Sequence, residues 1–140
     1  DLASVKYIKQ LSHHISGSIK VAPEHVNPYI LKLMNKDKGN LDQFLNDFIK
    51  YNPKSDITFY FMTAHPGSTT SDAKELADAV KNKYQTKSVQ IFTPTPMTVS
   101  TCMYHTGLNP RTKKEVHVPY TYREKKIQKQ KVFGRPDQNL

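Results

Sequence analysis

The sequence predicts an α/β fold in which three βα units form part of a parallel-sheet partial (TIM-like) barrel, followed by a basic C-terminal tail. Short β-branched strands alternate with amphipathic helices in the order α-β-α-α-β-α-β-α, and this alternation is typical of parallel strands joined by right-handed crossovers. The chain has 140 residues, whereas a closed eight-stranded barrel needs about 250. Three units therefore form only part of a barrel.

A helix and a short strand open the chain. Leu2, Val5, Ile8 and Leu11 recur at helical spacing and predict the helix. The strand covers residues 19–22 and ends where a proline follows.

Two helices follow this strand. Asn27-Pro28 supplies a cap and then a proline at the first helical position. Asn40 recaps the chain, and from Leu41 to Ile49 the apolar residues fall at i, i+3, i+4, i+7 and i+8. Each helix is thus predicted to bury one face.

The next strand, helix, strand and helix complete the alternation. Residues 57–62 form a β-branched and aromatic run that suits a strand covered on both faces. Thr69 with Asp72 makes a capping box before a helix that includes the apolar positions up to residue 84. Residues 89–92 form the third strand, and residues 99–104 a final helix.

The positive charge is concentrated in the last part of the chain. The net charge is +9, and nine Lys and Arg against two Glu between Arg111 and Arg135 contribute +7 of it. In this stretch helical periodicity returns only at residues 123–132. We therefore divide the chain into residues 1–108, the barrel part, and residues 109–140, a basic C-terminal extension.

Composition limits the class of protein. No stretch approaches the roughly 18 apolar residues of a membrane span, and no signal-peptide pattern is present. We therefore expect a cytoplasmic protein without membrane contact. The chain begins at Asp1 inside a helical pattern, which predicts a segment of a longer protein. For the single cysteine, Cys102, we expect a small, semi-buried residue and not a nucleophile.

A polar, proline-containing turn follows each strand. The turns are Pro23-Glu24-His25, residues 65–69 and residues 93–96. Because the carboxyl ends of parallel strands meet at one edge of a sheet, the three turns together predict a binding site, although each alone is typical of ordinary turn chemistry. The sequence has no Gly-rich phosphate loop, HExxH, GxSxG or paired cysteines. We do not expect the isolated segment to be an active enzyme.

Seven segments, in one consistent order, carry a resemblance. They are SGSIKVAPEHV at 16–26, LM at 33–34, AHPGST at 64–69, VQIFTPTP at 89–96, STCMYHTG at 100–107, NPRT at 109–112 and EK at 124–125. In these segments the chain resembles the C-terminal region of YgiQ-like radical S-adenosylmethionine (SAM) proteins.

The resemblance implies cofactors that this segment does not hold alone. It implies SAM and a 4Fe-4S cluster in the full-length protein, with reductive cleavage of SAM to a deoxyadenosyl radical that abstracts hydrogen from a substrate. The cluster ligands, a CxxxCxxC loop after the first barrel strand, would lie upstream of this segment. The partner of the segment would be the N-terminal half of the barrel, in its own polypeptide.

The resemblance also implies which residues face SAM. The first strand here would offer polar groups to the ribose or methionine, the second strand and its turn would lie beside the adenosine, and the backbone of the third would touch adenine. The cofactor-binding candidates are Lys20, Glu24, His25, Thr63, His65, Gly67, Ile91 and Thr93. Met97, where the family more often has glycine, predicts a locally different turn. Ser68, where related methylthiotransferases have glutamate, weakens the transfer of a glutamate contact to this chain.

The charge distribution leaves a second interpretation open. Residues 111–135 could make RNA or phosphate contacts in a non-enzymatic binding module, although a basic run is more often a solvated surface. Tyr120, Tyr122 and Phe133 could stack on bases or attach the tail to the body of the domain. RNA binding that falls steeply with salt would favour the module, and a three-cysteine loop upstream would favour the enzyme.

Overall fold

Six helices and three strands make up the part of the chain that the computed structural model describes, residues 4–37, 39–84 and 86–133. In chain order they are α1 (Val5–His13), β1 (Ser18–Glu24), α2 (Pro28–Leu33), α3 (Leu41–Tyr51), β2 (Asp56–Thr63), α4 (Thr70–Asn82), β3 (Thr86–Ile91), α5 (Val99–Thr106) and α6 (Tyr122–Phe133). The predicted order is confirmed, and the predicted helix at 123–132 is α6. Leu2 and Arg135, which entered the predictions, lie outside the described residues.

The sheet is parallel and its strand order is β1-β2-β3. Ile19 pairs with Ile57, and Tyr60 pairs with Ser88. Successive right-handed crossovers in this order move in one direction, so they place the crossover helices on the same face of the sheet. This is the arrangement of three consecutive units of an open, TIM-like barrel, and the predicted fold class is confirmed.

The hydrophobic core lies on the face that the helices cover. Phe59 and Phe61 of β2 and Val89 of β3 point into it, where they meet Leu76 of α4 and Val132 of α6. Burying an apolar side chain of this size stabilises a fold by about 1.5–3 kcal/mol. The alternate residues of β2 are only half-buried, so the prediction that this strand is covered on both faces is wrong. The reason is topological, because the 1-2-3 order leaves one face without crossover helices.

Local capping signals act as the sequence predicts. The Asn27 side chain accepts hydrogen bonds from the N–H groups of Tyr29 and Ile30 at the start of α2. Thr69 and Asp72 form a complete capping box at the start of α4. Caps of this kind contribute about 1 kcal/mol each.

Strand and helix boundaries differ from the predicted ones at three places. β1 continues past Pro23, since the pairing register shifts between Val21 and Glu24 and an irregular edge strand tolerates the missing N–H of proline. β3 begins at Thr86, earlier than predicted, because polar residues suit its uncovered face. Tyr84 lies beyond the end of α4 yet is buried in the core.

The C-terminal extension contributes to the same core. Helix α6 packs against α4 and the sheet, with Val132 buried among the residues of β2 and β3. Val116 is buried in a second cluster with Leu33 and Met103, and Val118 and Pro119 are also buried. The boundary at residue 108 stays a prediction, and the described part of the extension is packed against the residues before it.

Candidate site at the carboxyl ends of the strands

A backbone feature recurs after each strand. Glu24 ends β1 with φ 69°, Ala64 follows β2 with φ 59°, and Met97 lies in the loop after β3 with φ 64°. Residues other than glycine rarely adopt this left-handed conformation, which costs about 1–3 kcal/mol, and such strain tends to cluster at functional sites. Asn35, after α2, and Lys113, in the C-terminal extension, also adopt this conformation, so it supports a site at the strand ends only together with the polar side chains there.

At the end of β1, one polar side chain is partly accessible and the next is buried. The Glu24 carboxylate pairs with Lys36 Nζ at 3.1 Å, and the same ammonium donates to the Ala22 carbonyl at 3.1 Å. His25 is 2 % exposed, and its Nδ1 accepts the N–H of Asn27 at 3.0 Å. Burial lowers the pKa of His25 to about 4, against the opposing effect of the Asp72 charge. His25 is therefore neutral near pH 7.

The turn after β2 is buried throughout residues 63–68. Thr63 donates its hydroxyl to the Gln90 carbonyl at 3.3 Å. Gly67, with φ 95°, donates its N–H to the His117 carbonyl at 2.6 Å. A Cβ on Gly67 would lie 2.2 Å from Leu33 Cδ1, so the backbone conformation favours glycine, and any larger residue has to displace the end of the buried Leu33 side chain.

His65 is held in one protonation state and one tautomer. Its Nδ1 lies 2.7 Å from the Pro66 carbonyl, which can only accept, so this nitrogen carries the proton. Nε2 then accepts from the Ser100 hydroxyl at 2.7 Å. Burial lowers the pKa of His65 to about 4; the Pro66 hydrogen bond opposes this shift and the nearby His25 adds to it. His65 thus joins the turn to the first turn of α5.

Gln128 of α6, which the sequence did not single out, holds the same turn. Its Oε1 accepts from the Ala64 N–H at 2.9 Å and the Ser68 hydroxyl at 3.1 Å, and its Nε2 donates to the Ser68 carbonyl at 3.2 Å. The side chain is 0 % exposed. The one signal in the sequence is a polar residue four positions before the apolar Val132, on the same helical face.

The end of β3 is open by comparison. Ile91 is half-buried and Thr93 is exposed. Hydroxyl groups brace this loop, since Thr98 and Thr101 both donate to the Thr95 carbonyl, at 2.9 Å and 2.7 Å. Met97 is fully exposed and takes the left-handed conformation that glycine favours. Its presence where the family more often has glycine therefore does not by itself require a different turn.

The face of the sheet that no crossover helix covers, the uncovered face, also carries polar side chains. Lys20 is exposed, and its Nζ lies 6.0 Å from the centre of the Tyr60 ring, the outer limit of a cation–π contact. Thr58 is half-buried, and Ser88 and Gln90 are exposed. Apart from Lys20, these residues were not predicted to lie near the site, although the two-residue period of a strand places them on one face.

The structure thus divides the eight predicted cofactor-binding residues into two groups. Four keep accessible atoms, namely Lys20, Glu24, Ile91 and Thr93. Four are buried, namely His25, Thr63, His65 and Gly67. The accessible group can contact a ligand directly, while the buried group shapes the turns.

Cys102 is exposed on α5, so the semi-buried placement predicted for it is wrong. Within residues 4–37, 39–84 and 86–133, no cluster of three His, Cys, Asp or Glu is arranged to hold a metal ion. Over the same ranges, no helix has the length and apolar character needed to cross a bilayer. The cytoplasmic location stays a prediction.

The basic residues of the extension are mostly exposed, among them Lys113, Arg123 and Lys126. Lys125 instead donates to the Tyr104 hydroxyl at 2.8 Å, with its Nζ 4.9 Å from the ring centre. The Tyr120 hydroxyl donates to the Tyr104 carbonyl, so this aromatic residue does attach the extension to α5.

Known proteins resemble this chain over most of its length. It is 46% identical over 140 residues to a UPF0313 protein of Methanocaldococcus jannaschii, covering 95% of this chain and 23% of that protein. It is 45% identical over 130 residues to a UPF0313 protein of Geobacter sulfurreducens, covering 88% and 22%. A UPF0313 protein of Clostridium perfringens is 43% identical over 130 residues, covering 88% and 20%. The chain thus spans between 20% and 23% of the length of these relatives.

A family model matches the C-terminal part of the chain. Residues 87–137 match a family described as a domain of unknown function, DUF3362. No solved structure matches the chain. The relatives named here are all UPF0313 proteins, the YgiQ-like family, and the DUF3362 match is consistent with the C-terminal region of that family.

Proposed function

We propose that this chain is the C-terminal segment of a radical SAM iron–sulfur enzyme, contributing strand ends that face SAM and substrate but not the cluster ligands. The observation that carries the proposal is the set of strained residues, Glu24, Ala64 and Met97, after the three parallel strands. They fall inside or beside the segments in which the sequence resembles YgiQ-like proteins. The proposal assigns no substrate.

The side chains of this chain fit the part of the site that would face SAM, but not the part that would hold the cluster. One exposed cysteine, Cys102, does not fit a cluster held by three thiolates, so the cluster would be held by the rest of the longer protein. For SAM, Glu24 offers a partly accessible carboxylate, Thr93 an exposed position at the end of β3, and Lys20 a cation on the uncovered face. When bound, the cluster and SAM would supply the one-electron chemistry that abstracts hydrogen from a substrate.

The buried residues have a positioning role in this proposal. His65 is neutral and its two nitrogens are engaged by Pro66 and Ser100, so it holds the β2 turn against α5. Gly67 lets that turn approach Leu33. The exposed edge can then receive a nucleoside without rearrangement of the turn beneath it.

The test uses the longer protein, reconstituted with iron and sulfide without oxygen and supplied with SAM and a reductant. We expect a bound 4Fe-4S cluster and release of 5′-deoxyadenosine. Glu24→Gln should weaken SAM binding about tenfold, the loss expected for one charge-assisted hydrogen bond, while Asp78→Asn on exposed α4 should not. A longer protein that binds no cluster and releases no deoxyadenosine would refute the proposal.

A second measurement tests the proposed division of the SAM site between this chain and the cluster-bearing part of the longer protein. With the cluster side of the site missing, this chain alone should bind SAM very weakly or not at all. Titration calorimetry that showed tight SAM binding to the 140-residue chain would contradict this division.

A basic-surface function remains as the alternative, because Lys113, Arg123 and Lys126 are exposed. Deleting residues 111–140 would be a poor test, since it removes Val132 from the core. Replacing the three basic residues together by glutamine should retain the fold, because all three are exposed. A large loss of RNA affinity in this variant, with a shallower salt dependence, would favour the alternative; unchanged weak binding would argue against it.

A further inference from the structure

A lysine that follows α2 reaches back to the end of β1. Lys36 Nζ donates to the Ala22 carbonyl and to Glu24 Oε1, both at 3.1 Å. These two acceptors flank Pro23, in the stretch where the pairing register of β1 shifts. One ammonium group therefore joins the backbone of the irregular strand end to the carboxylate that the proposed function assigns to SAM.

The end of α2 sets the direction from which Lys36 approaches. Asn35 adopts the left-handed conformation with φ 59° and donates its N–H to the Lys32 carbonyl at 3.1 Å, while the Lys36 N–H donates to the Leu31 carbonyl at 2.8 Å. This pair of hydrogen bonds is a Schellman motif, which ends a helix in a fixed geometry. Asparagine is one of the few residues other than glycine that suit its left-handed position. The Lys36 side chain thus starts from a defined turn.

The C-terminal extension contacts the same turn. Arg111 Nη1 donates to Asn35 Oδ1 at 3.3 Å. Arg111 itself lies in a turn that the Asn109 N–H closes by donating to the Lys114 carbonyl at 2.8 Å. Contacts therefore run in series from the extension, through the end of α2, to the Glu24 carboxylate.

We infer that Lys36 is a positioning residue for the SAM site, which holds Glu24 through Oε1 and leaves Oε2 for a donor of the ligand. In the part of the chain that the structure describes, no donor contacts Oε2. The Glu24 side chain is 22 % exposed, so a ligand can reach it. A glutamate side chain loses rotamer freedom when it is fixed, and a side chain fixed before binding does not oppose binding in this way. The inference rests on the proposed function, which assigns Glu24 to SAM.

Titration calorimetry of SAM with the longer protein, holding its cluster, tests the inference without measuring turnover. Lys36→Met keeps much of the side-chain length but removes the donor, and it should weaken SAM binding about fivefold through lost preorganisation. Lys36→Arg keeps a cation with donors and should bind within about twofold of the parent. Lys32→Met, at an exposed lysine of α2, is the matched control and should bind as the parent does.

A double-mutant cycle separates positioning from a general effect on the strand end. In a Glu24→Ala background no carboxylate remains to be held, so Lys36→Met should then change SAM affinity by less than about twofold. An equal loss with and without the carboxylate would mean that Lys36 supports only the backbone near Ala22, and the inference would be wrong.

Two further results bear on the inference. Parent-like SAM affinity in Lys36→Met, with a parent that binds SAM, would overturn the inference and leave the proposed function intact. A parent that binds neither cluster nor SAM would refute the proposed function and the inference with it. The two failures are therefore distinguishable.

Discussion

The turn after β2 and the loop after β3 end neighbouring parallel strands, yet they are held in opposite ways. Residues 63–68 are buried, and Gln128 and the His117 backbone, both distant in sequence, hold them. Residues 93–98 are exposed, and their hydroxyl hydrogen bonds stay within the loop and the start of α5. Both nevertheless include a left-handed residue other than glycine.

This difference distinguishes residues that position the site from residues that can contact a ligand. A buried turn cannot offer its side chains to a ligand, so its conformation can matter only through what it supports. An exposed loop can touch a ligand and can accept substitutions at small cost to the fold. Changes in the buried turn should therefore alter stability strongly, and changes in the loop should alter it weakly.

The largest effect should come from pH, because it acts on two buried histidines together. The pKa of His25 and that of His65 are lowered from 6.5 to about 4 by burial, so between these pH values the unfolded chain binds more protons than the folded one. Stability is then full above pH 6.5 and is lost as the pH falls towards 4, by up to about 3 kcal/mol per histidine. Urea unfolding at several pH values measures this slope.

Single substitutions locate the source of the pH effect. His65→Gln should reduce the slope between pH 6.5 and 4 by about half, because His25 keeps its own contribution, whereas His105→Gln, at an exposed position of α5, should leave the slope unchanged. An identical slope in both variants and the parent would show that His65 does not carry it.

Gly67→Ala should be the most damaging single change in the buried turn. The new Cβ would lie 2.2 Å from Leu33 Cδ1, on a residue with φ 95°. Overpacking and left-handed strain together predict a loss of about 3 kcal/mol or more in the free energy of unfolding. Gly107→Ala is the matched control, because φ is 68° there and no atom lies within 4 Å of the added Cβ. It should cost only about 1 kcal/mol, and equal losses would contradict the packing argument.

Gln128→Leu should have the next largest effect. The substitution removes the acceptor for the Ala64 N–H and the donor to the Ser68 carbonyl, both buried, and an unsatisfied buried group costs about 1–3 kcal/mol. We expect a loss of about 2 kcal/mol in chemical unfolding. Gln130→Leu, at a half-buried position of the same helix, should change stability by less than about 0.5 kcal/mol. Similar losses in the two variants would assign the effect to the helix and not to the turn.

The same contrast explains what the sequence could predict. The features that were predicted depend on neighbouring positions at most four residues apart. They are the order of the elements, the Asn27 cap and the Thr69–Asp72 capping box. The hydrogen bond from Ala64 to Gln128 joins residues 64 apart, and no local pattern records such a contact. The position of the candidate site at the strand ends was predicted from the parallel order of the strands. The burial of His65 was not predicted, because it depends on a distant segment that packs over the turn.

The smallest expected effect belongs to the exposed loop, at Met97. Glycine adopts φ 64° without strain, whereas methionine pays about 1 kcal/mol for it, and the greater freedom of glycine in the unfolded chain offsets part of that gain. Met97→Gly should therefore raise the free energy of unfolding by less than about 1 kcal/mol, as measured by urea unfolding beside Met97→Ala. The alanine variant keeps the strain and should show no gain. If Met97→Gly lowered the free energy of unfolding as much as Gly67→Ala, the side chains of the loop would hold it as firmly as the buried turn is held. The distinction between a contacting loop and a positioning turn would then be wrong.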